Sequence, residues 1–411
     1  MRTRTRVDLF EEHGEVAALW PDSPYRDRTV VCFDRHLDLK PLAPGGEEAL
    51  RAAVAHSASP AGLVRELPVR GVPGAFGLDD FWSAAAVAAD LKHLVWVPSW
   101  SAGEGWEARA VAGVSLIATG GEPAEPVVSD CCLTVTLCGV RLAVVPPELL
   151  SRHLARHVTG EVVTDIDLDW LVDEHGTAEH SADRLAELVT VCGGEVSAMS
   201  WSTRSGFLPA EFRSVGPDVA RRLGLEARES SYLPPLPWPE DLMLRVHQGA
   251  GPGDPGDPGG AAGAPGVLLA LLGLSLADGD PDEAQTLFER AAALGHRSSW
   301  LAYRIGATRY ARGEHRAART SLREAAAIDP RDTLGMHARV LCARATLRLD
   351  GPGPALAELR PVADELPLRS NVWRTVALLA AAVDDREAEE TARHRLSAVD
   401  TLTRGRRTDR P

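Results

Sequence analysis

Apolar residues fall into two textures along this chain, and the change comes near residue 250. In the first texture, short apolar runs alternate with amphipathic stretches. The runs at 29–33, 93–97, 133–145, 162–166 and 196–201 are rich in Val, Leu and aromatic residues and are bounded by polar or turn-forming ones, which predicts strands. Helical spacing marks 80–91, rich in Ala, and 181–191. Strands alternating with helices predict an α/β sheet with parallel pairs. "CCLTVTLCGVRLAVV" predicts a hairpin inserted into that order, with its turn near Gly139.

The segment 248–266, "QGAGPGDPGDPGGAAGAPG", has nothing from which to build a core and reads as a flexible tether. Beyond it Ala, Leu, Arg and Glu recur at helical spacing, and an internal repeat is visible. "GDPDEAQTLFERAAAL" aligns with "GEHRAARTSLREAAAI": Gly279 with Gly313, Ala284 with Ala318, Phe288 with Leu322 and Ala291 with Ala325, each pair 34 positions apart. That period, with a small residue early in each second helix, resembles tetratricopeptide repeats. A degenerate third unit around "GPALAELRPVADELP" and a helix near 371–383 extend the array. The expected organisation is therefore an α/β domain at 1–247, the linker 248–266, an all-α solenoid at 267–403 and a basic tail at 404–411.

Composition narrows the classes of function. A formal net charge of −14 argues against a nucleic-acid partner, which would require a basic surface. The start, "MRTRTRVDLFEEHGE", lacks the apolar stretch of a signal peptide, and no segment reaches membrane-spanning length, so cytoplasm without membrane attachment is the expectation. The six cysteines form no CxxC pair, and Cys32 and Cys192 read as core thiols. Oligomeric state is not readable from these features.

The chemistry concentrates in two places. The run at 29–33 leads into Asp34, His36 and Asp38, and the run at 162–166 into Asp165, Asp167 and Asp169. Extended backbone points alternate side chains to one face, so each triplet is expected to crowd a single volume. Like-charged carboxylates resist being brought together and desolvated. In open α/β sheets, ligands collect beyond the carboxyl ends of the strands. A pair of divalent cations bridged by shared carboxylates would offset the charge. Oxygen-rich ligation with some imidazole and no thiolate favours two Mn²⁺, with Fe²⁺ or Co²⁺ as alternatives, and two such ions activate water at neutral pH.

These motifs are similar to the Asp-Ala-His-x-Asp and Asp-x-Asp signatures of the arginase (ureohydrolase) superfamily. More specifically, "EEHGEVAALW", "FDRHLDL", "KHLVWVPSW" and "DIDLDW", in that order across residues 7–212, resemble the arginase-like family that includes the peptide arginases. The resemblance implies a three-layer domain with a mostly parallel sheet. It also implies hydrolysis of arginine residues within a peptide to ornithine and urea. Asp34, His36 and Asp38 would match the first metal motif and Asp165 and Asp167 the second, with Asp34 and Asp165 bridging and His13 as the first histidine ligand. The superfamily's Gly-Gly-Asp-His is absent, and "DIDLDW" lacks the Asp-Pro that ends the arginase motif. Asp169 is thus either an outer acceptor or a residue exchanging roles with Asp165 in a shifted register.

His93 and His175 are candidates for protonating the departing amine, and Glu195 for receiving the guanidinium. Arg204 would face a peptide carbonyl or a carboxylate, while Trp96 and Trp100 read as core or rim aromatics. The expected partner is an arginine-containing peptide held by the helical repeats. Two other readings compete. A deacetylase of the same fold would need a His-His pair that the sequence lacks. A metal-stabilised, non-catalytic scaffold would leave the repeats, binding a protein or peptide, as the working part.

Overall fold

The computed structural model describes residues 6–22, 25–42, 45–55, 80–103, 105–115, 126–173, 177–203, 208–231, 265–276, 280–328 and 333–404. The described residues divide into two compact units, one holding 6–55 and 80–231 and the other 265–396.

The first unit is a nine-stranded mixed sheet. Its strands are β1 (Arg6–Phe10), β2 (Thr29–Phe33), β3 (His93–Val97), β4 (Val127–Val128), β5 (Leu133–Leu137), β6 (Val140–Val144), β7 (Val162–Asp167), β8 (Glu195–Ser200) and β9 (Glu226–Glu229). They lie in the order β4-β5-β6-β3-β2-β7-β8-β1-β9. All pairings are parallel except β4 with β5 and β5 with β6. Those two are the hairpin of the apolar run 133–145 and a short edge strand. β2 reads T-V-V-C-F because a central parallel strand is covered on both faces, and Val30, Val31, Cys32 and Phe33 are fully buried. Gly194, just before β8, is obligatory for spacing, since a Cβ there would stand 2.1 Å from the Val162 carbonyl oxygen.

Because β1, β2, β7 and β8 run parallel side by side, their carboxyl ends open on one edge of the sheet. β2 stops at Phe33, so Asp34, His36 and Asp38 do not alternate along a strand as expected. They follow it in a bend and an irregular segment. Asp165 and Asp167 do lie on β7, whereas Asp169 belongs to the 3₁₀ turn Leu168–Leu171.

The second unit is all-helical. Its described helices are Pro265–Leu276, Pro281–Ala293, Ser299–Ala311, His315–Ile328, Thr333–Asp350, Pro352–Glu365, Ser370–Ala382 and Arg386–Arg404. Pro265 and Gly266, expected in the linker, open the first of these, where a proline's missing N–H costs the helix nothing. The rest of the linker, 248–264, and the tail from 405 lie outside the described residues, as does Gly279.

The repeat positions are core positions: Ala284, Phe288, Ala291, Ala318, Leu322 and Ala325 are all buried. The preceding helices supply the complement. A Cβ on Gly273 would meet Phe288 Cε1 at 2.6 Å, and one on Gly306 would meet Leu322 Cγ at 2.7 Å. A glycine in each first helix therefore admits the large residue of each second helix. This packing repeats down the chain, because 273 and 306 are 33 apart and 288 and 322 are 34 apart. Around Trp373, Val376 and Leu379 the last helices close a core with Ala388 and Ala392.

Candidate metal centre

Three strand ends deliver the cluster. His13 opens the 3₁₀ segment His13–Asp22 that follows β1. Asp34 follows β2, and β7 brings Asp165 and Asp167. The parallel register sets Phe33 beside Ile166 and Cys32 beside Asp165. The following residues, Asp34 and Asp167, thus meet at the rim, and Asp165 lies one pleat deeper.

His13 sits in the middle. Its Nδ1 is 3.2 Å from Asp34 Oδ2, 3.3 Å from Asp38 Oδ2 and 3.7 Å from Asp167 Oδ2, and its Nε2 is 2.9 Å from Asp165 Oδ1. The ring is wedged against Phe81, with centroids 4.6 Å apart, and Trp82. His36 Nδ1 lies 2.8 Å from Asp169 Oδ2, and Asp169 Oδ1 accepts the Arg35 N–H at 3.2 Å. Asp34 Oδ1 accepts the His36 N–H at 2.7 Å. The donor atoms form two sets that could each hold a cation, His13–Asp34–Asp167 and Asp34–His36–Asp169, and they share Asp34. A third set joins His13, Cys32 and Asp165.

Four of the five carboxylates, Asp34, Asp165, Asp167 and Asp169, are at most 3% exposed. Among the described residues no Lys or Arg side chain pairs with Asp34, Asp165 or Asp167; their ion-pair partner is His13. The electrostatic consequence is severe. Burial, with Asp38 and Asp169 alongside, pushes Asp34 up to about 7. Burial and the charges of Asp169 and Asp34 hold Asp167 well above the usual carboxylate range. Burial alone would pull His13 down, but its bonds to Asp165, Asp34 and Asp38 outweigh that and hold the imidazole well above its ordinary value. Burial opposes His36 too and is outweighed by the charge of Asp169. Burial would raise Asp169, yet His36 and Arg35 bring it below its ordinary value.

This donor set fits divalent cations. A neutral imidazole has one N–H, yet both nitrogens of His13 face carboxylate oxygens, so without a cation either the ring or one of those carboxyl groups must hold an extra proton. Two imidazoles against five carboxylates is an uncompensated arrangement, and hard oxygen donors with a minority of nitrogen are the ligands of Mn²⁺-type ions.

Residues that sequence reasoning passed over complete the surroundings. Tyr25 Oη and Ser197 Oγ each donate to Asp165 Oδ2 at 3.2 Å, and Ser202 Oγ donates to Asp167 Oδ2 at 2.6 Å. Ser202 holds a left-handed backbone, φ 54°, an uncommon geometry for a residue with a side chain. Cys32 is more than a core thiol, since its Sγ is 4.0 Å from Asp34 Oδ2. Lone hydroxyls carry no pattern in sequence, so only the fold reveals these groups.

Two other candidates are placed elsewhere. His93 begins β3, exposed, and pairs in register with Thr29 and Arg141, at the amino end of the sheet. Glu195 begins β8, beside Val163, with its carboxylate toward Arg28 Nη1 at 3.5 Å. A residue that starts a parallel strand lies a full strand length from the carboxyl edge, so neither joins the cluster. His175 and Arg204 lie outside the described residues. Trp96 is buried, its Nε1 donating to the Asp34 carbonyl at 2.7 Å, and Trp100 packs edge-on against it.

No family model matches this chain, and no curated protein matches it. Among solved structures it is similar to MamA 41-end from Desulfovibrio magneticus RS-1, at 19% identity and a TM-score of 0.31, over 48% of this chain and 96% of that one. It is also similar to YrrB, a TPR protein with an unusual peptide-binding site, at 18% identity and a TM-score of 0.29, over 34% of this chain and 70% of that one. No described helix is long and apolar enough to cross a membrane.

Proposed function

We propose that the α/β unit is a metal-dependent hydrolase acting on a guanidino group, and that its substrate is an arginine residue of a peptide, converted to ornithine with release of urea. The observation that supports this reading is the buried cluster in which Asp34 is common to two cation-binding sets. His13, Asp34 and Asp167 would hold one divalent ion and Asp34, His36 and Asp169 the other, with Asp38 and Asp165 beside the two ring nitrogens of His13 to orient it. When bound, two Mn²⁺ ions would supply Lewis acidity and water activated at neutral pH.

The chain's own residues do the rest. Tyr25, Ser197 and Ser202 fix the carboxylates by hydrogen bonds, limiting the reorganisation that ligation would otherwise require. The cluster is accessible from one side, where the side chains of His36 and Asp38 are 34% and 13% exposed while those of His13, Asp34, Asp165, Asp167 and Asp169 are 4% or less. A cationic guanidinium approaching that side meets an acidic opening. Water adds at the guanidinium carbon, the bond from that carbon to the nitrogen that stays on the peptide side chain breaks, and both protons of the water end on that nitrogen, which leaves as an ammonium. The products are the ornithine side chain and urea.

The test is mass spectrometry of arginine-bearing peptides incubated with the Mn²⁺-loaded chain. A product lighter by the mass of urea less one water, with urea in solution, supports the reading. Unchanged peptides and unchanged free arginine and agmatine contradict it.

A second reading is favoured by the helical repeats, whose stacked hairpins are an architecture suited to holding a peptide or protein. On that view the metal stabilises a scaffold and the repeats bind a protein or peptide. Partner binding retained by metal-free protein, with no turnover of any guanidino compound, would favour it.

A further inference from the structure

Far along the sheet from the carboxylate cluster, a second group of soft donors converges. β5 lies three strands from β2 in the sheet order. The turn between β4 and β5 carries Cys131 and Cys132, both at most 2% exposed. The helix Leu150–His157, which follows β6, carries His153 and His157 one turn apart, with ring centroids separated by 5.1 Å. One donor atom from each of these four residues lies within 4.8 Å of every other.

The local structure looks built rather than accidental. Ser129 shapes the turn: its N–H donates to the Cys132 carbonyl at 2.8 Å, and its Oγ accepts the Cys131 and Cys132 N–H groups at 3.4 and 3.2 Å. Asp130 ties the turn to the helix through Arg156 at 2.7 Å and Arg152 at 3.7 Å. Within this frame His153 is 3% exposed, and its Nδ1 has no hydrogen-bond partner among the described residues. An unpartnered ring nitrogen buried beside two thiols is costly unless something ligates it.

We propose that Cys131, Cys132, His153 and His157 form a four-coordinate Zn²⁺ site that clamps the β4–β5 turn to the helix Leu150–His157. Two thiolates and two imidazoles are the donor set of structural zinc, and the pair on the helix has the H-x₃-H spacing common at such sites. Tetrahedral Zn²⁺, with bonds of about 2.3 Å to sulfur and about 2.0 Å to nitrogen, places its donors roughly 3.3–3.8 Å apart. Closing the present cluster around an ion therefore takes displacements of about 1 Å. Binding releases the two thiol protons to solvent. The exposed His157 leaves a route of entry. With all four positions filled by protein, the ion would serve structure rather than catalysis. The site does not depend on the hydrolase reading, because it shares no residue with the carboxylate cluster.

The experiment is titration of the reduced, chelator-treated full-length chain with Co²⁺, followed by displacement with Zn²⁺. The expected result is the intense near-ultraviolet band of thiolate-to-cobalt charge transfer, abolished by Zn²⁺ and saturating at one equivalent in Asp34→Asn/Asp167→Asn, where the carboxylate cluster no longer competes for the ion. The band should persist in Asp34→Asn/Asp167→Asn and in Cys32→Ser, and disappear in Cys131→Ser/Cys132→Ser. His157→Ala changes only an exposed side chain and should weaken Co²⁺ affinity by on the order of tenfold or more with an unchanged circular dichroism spectrum. A reduced wild-type chain without the band, a band that survives loss of both cysteines, or one lost with Cys32 would overturn the proposal.

Discussion

Chelation followed by a pH series tests the electrostatics of the cluster without reference to any substrate. Asp34 ordinarily ionises near 3.8 but is raised to about 7 in the folded chain. Between those values the folded state keeps a proton that the unfolded state has lost, so stability falls as pH rises. Integrated from about pH 5 to about pH 8, Asp34 alone removes about 2.5 kcal/mol. The raised values of Asp167 and His13 act in the same direction, since each also makes the folded state the tighter proton binder. The lowered value of Asp169 acts only in acid, below that window.

For a unit of this size the expected drop in melting temperature is roughly 5–10 °C, read by circular dichroism on the chelated chain. Saturating Mn²⁺ should flatten the slope, because bound cations keep the carboxylates ionised. It should also add about 2.7 kcal/mol at a concentration near 100 times its Kd. Asp34→Asn should flatten the metal-free slope as well. A chelated wild-type chain whose melting temperature is level or rises across the window would refute the reasoning.

Other expectations follow from individual contacts. Asp34→Ala combined with Asp165→Ala should abolish Mn²⁺ binding measured by elemental analysis of desalted protein; unchanged stoichiometry would remove the proposed centre. Tyr25→Phe deletes one donor to Asp165 and should weaken Mn²⁺ affinity by about 10–100-fold while leaving the fold intact, measurable by calorimetry. Phe288→Ala should cost about 3–5 kcal/mol in the helical unit and leave urea formation from a short peptide unchanged. Deleting 267–411 should reduce turnover of a long arginine-bearing peptide far more than that of a short one, and equal losses would contradict a substrate-holding role for the repeats.

The parts of this molecule legible in the sequence are those set by local pattern. The T-V-V-C-F run becomes β2 with the expected limits, and Gly139 stands at the turn between β5 and β6, because apolar period and turn chemistry act over a few residues. The repeat was visible because Ala284, Phe288 and Ala291 recur with one spacing. Pairing across the sheet was not legible. β9 reads E-A-R-E with no apolar signature, and β1, R-V-D-L-F, interrupts its apolar residues with Asp8, yet the place of β1 in the sheet brings His13 to the carboxyl edge. His93 opens the apolar run 93–97 and Glu195 directly precedes the run 196–201, so each begins its strand, and parallel pairing puts both at the edge opposite the cluster. Asp169 entered the cluster through a 3₁₀ turn rather than strand alternation, which placed it beside His36. Cys131, Cys132, His153 and His157 form no motif in the sequence, because about twenty residues and two strands separate the cysteines from the histidines.

The most direct measurement is anomalous diffraction at the manganese edge from crystals of the Mn²⁺-loaded chain. Two peaks are predicted, one among His13, Asp34 and Asp167 and one among Asp34, His36 and Asp169, with Asp34 reaching both. Crystals with no peak there, and with His13 still hydrogen-bonded between Asp165 and Asp38, would contradict the account.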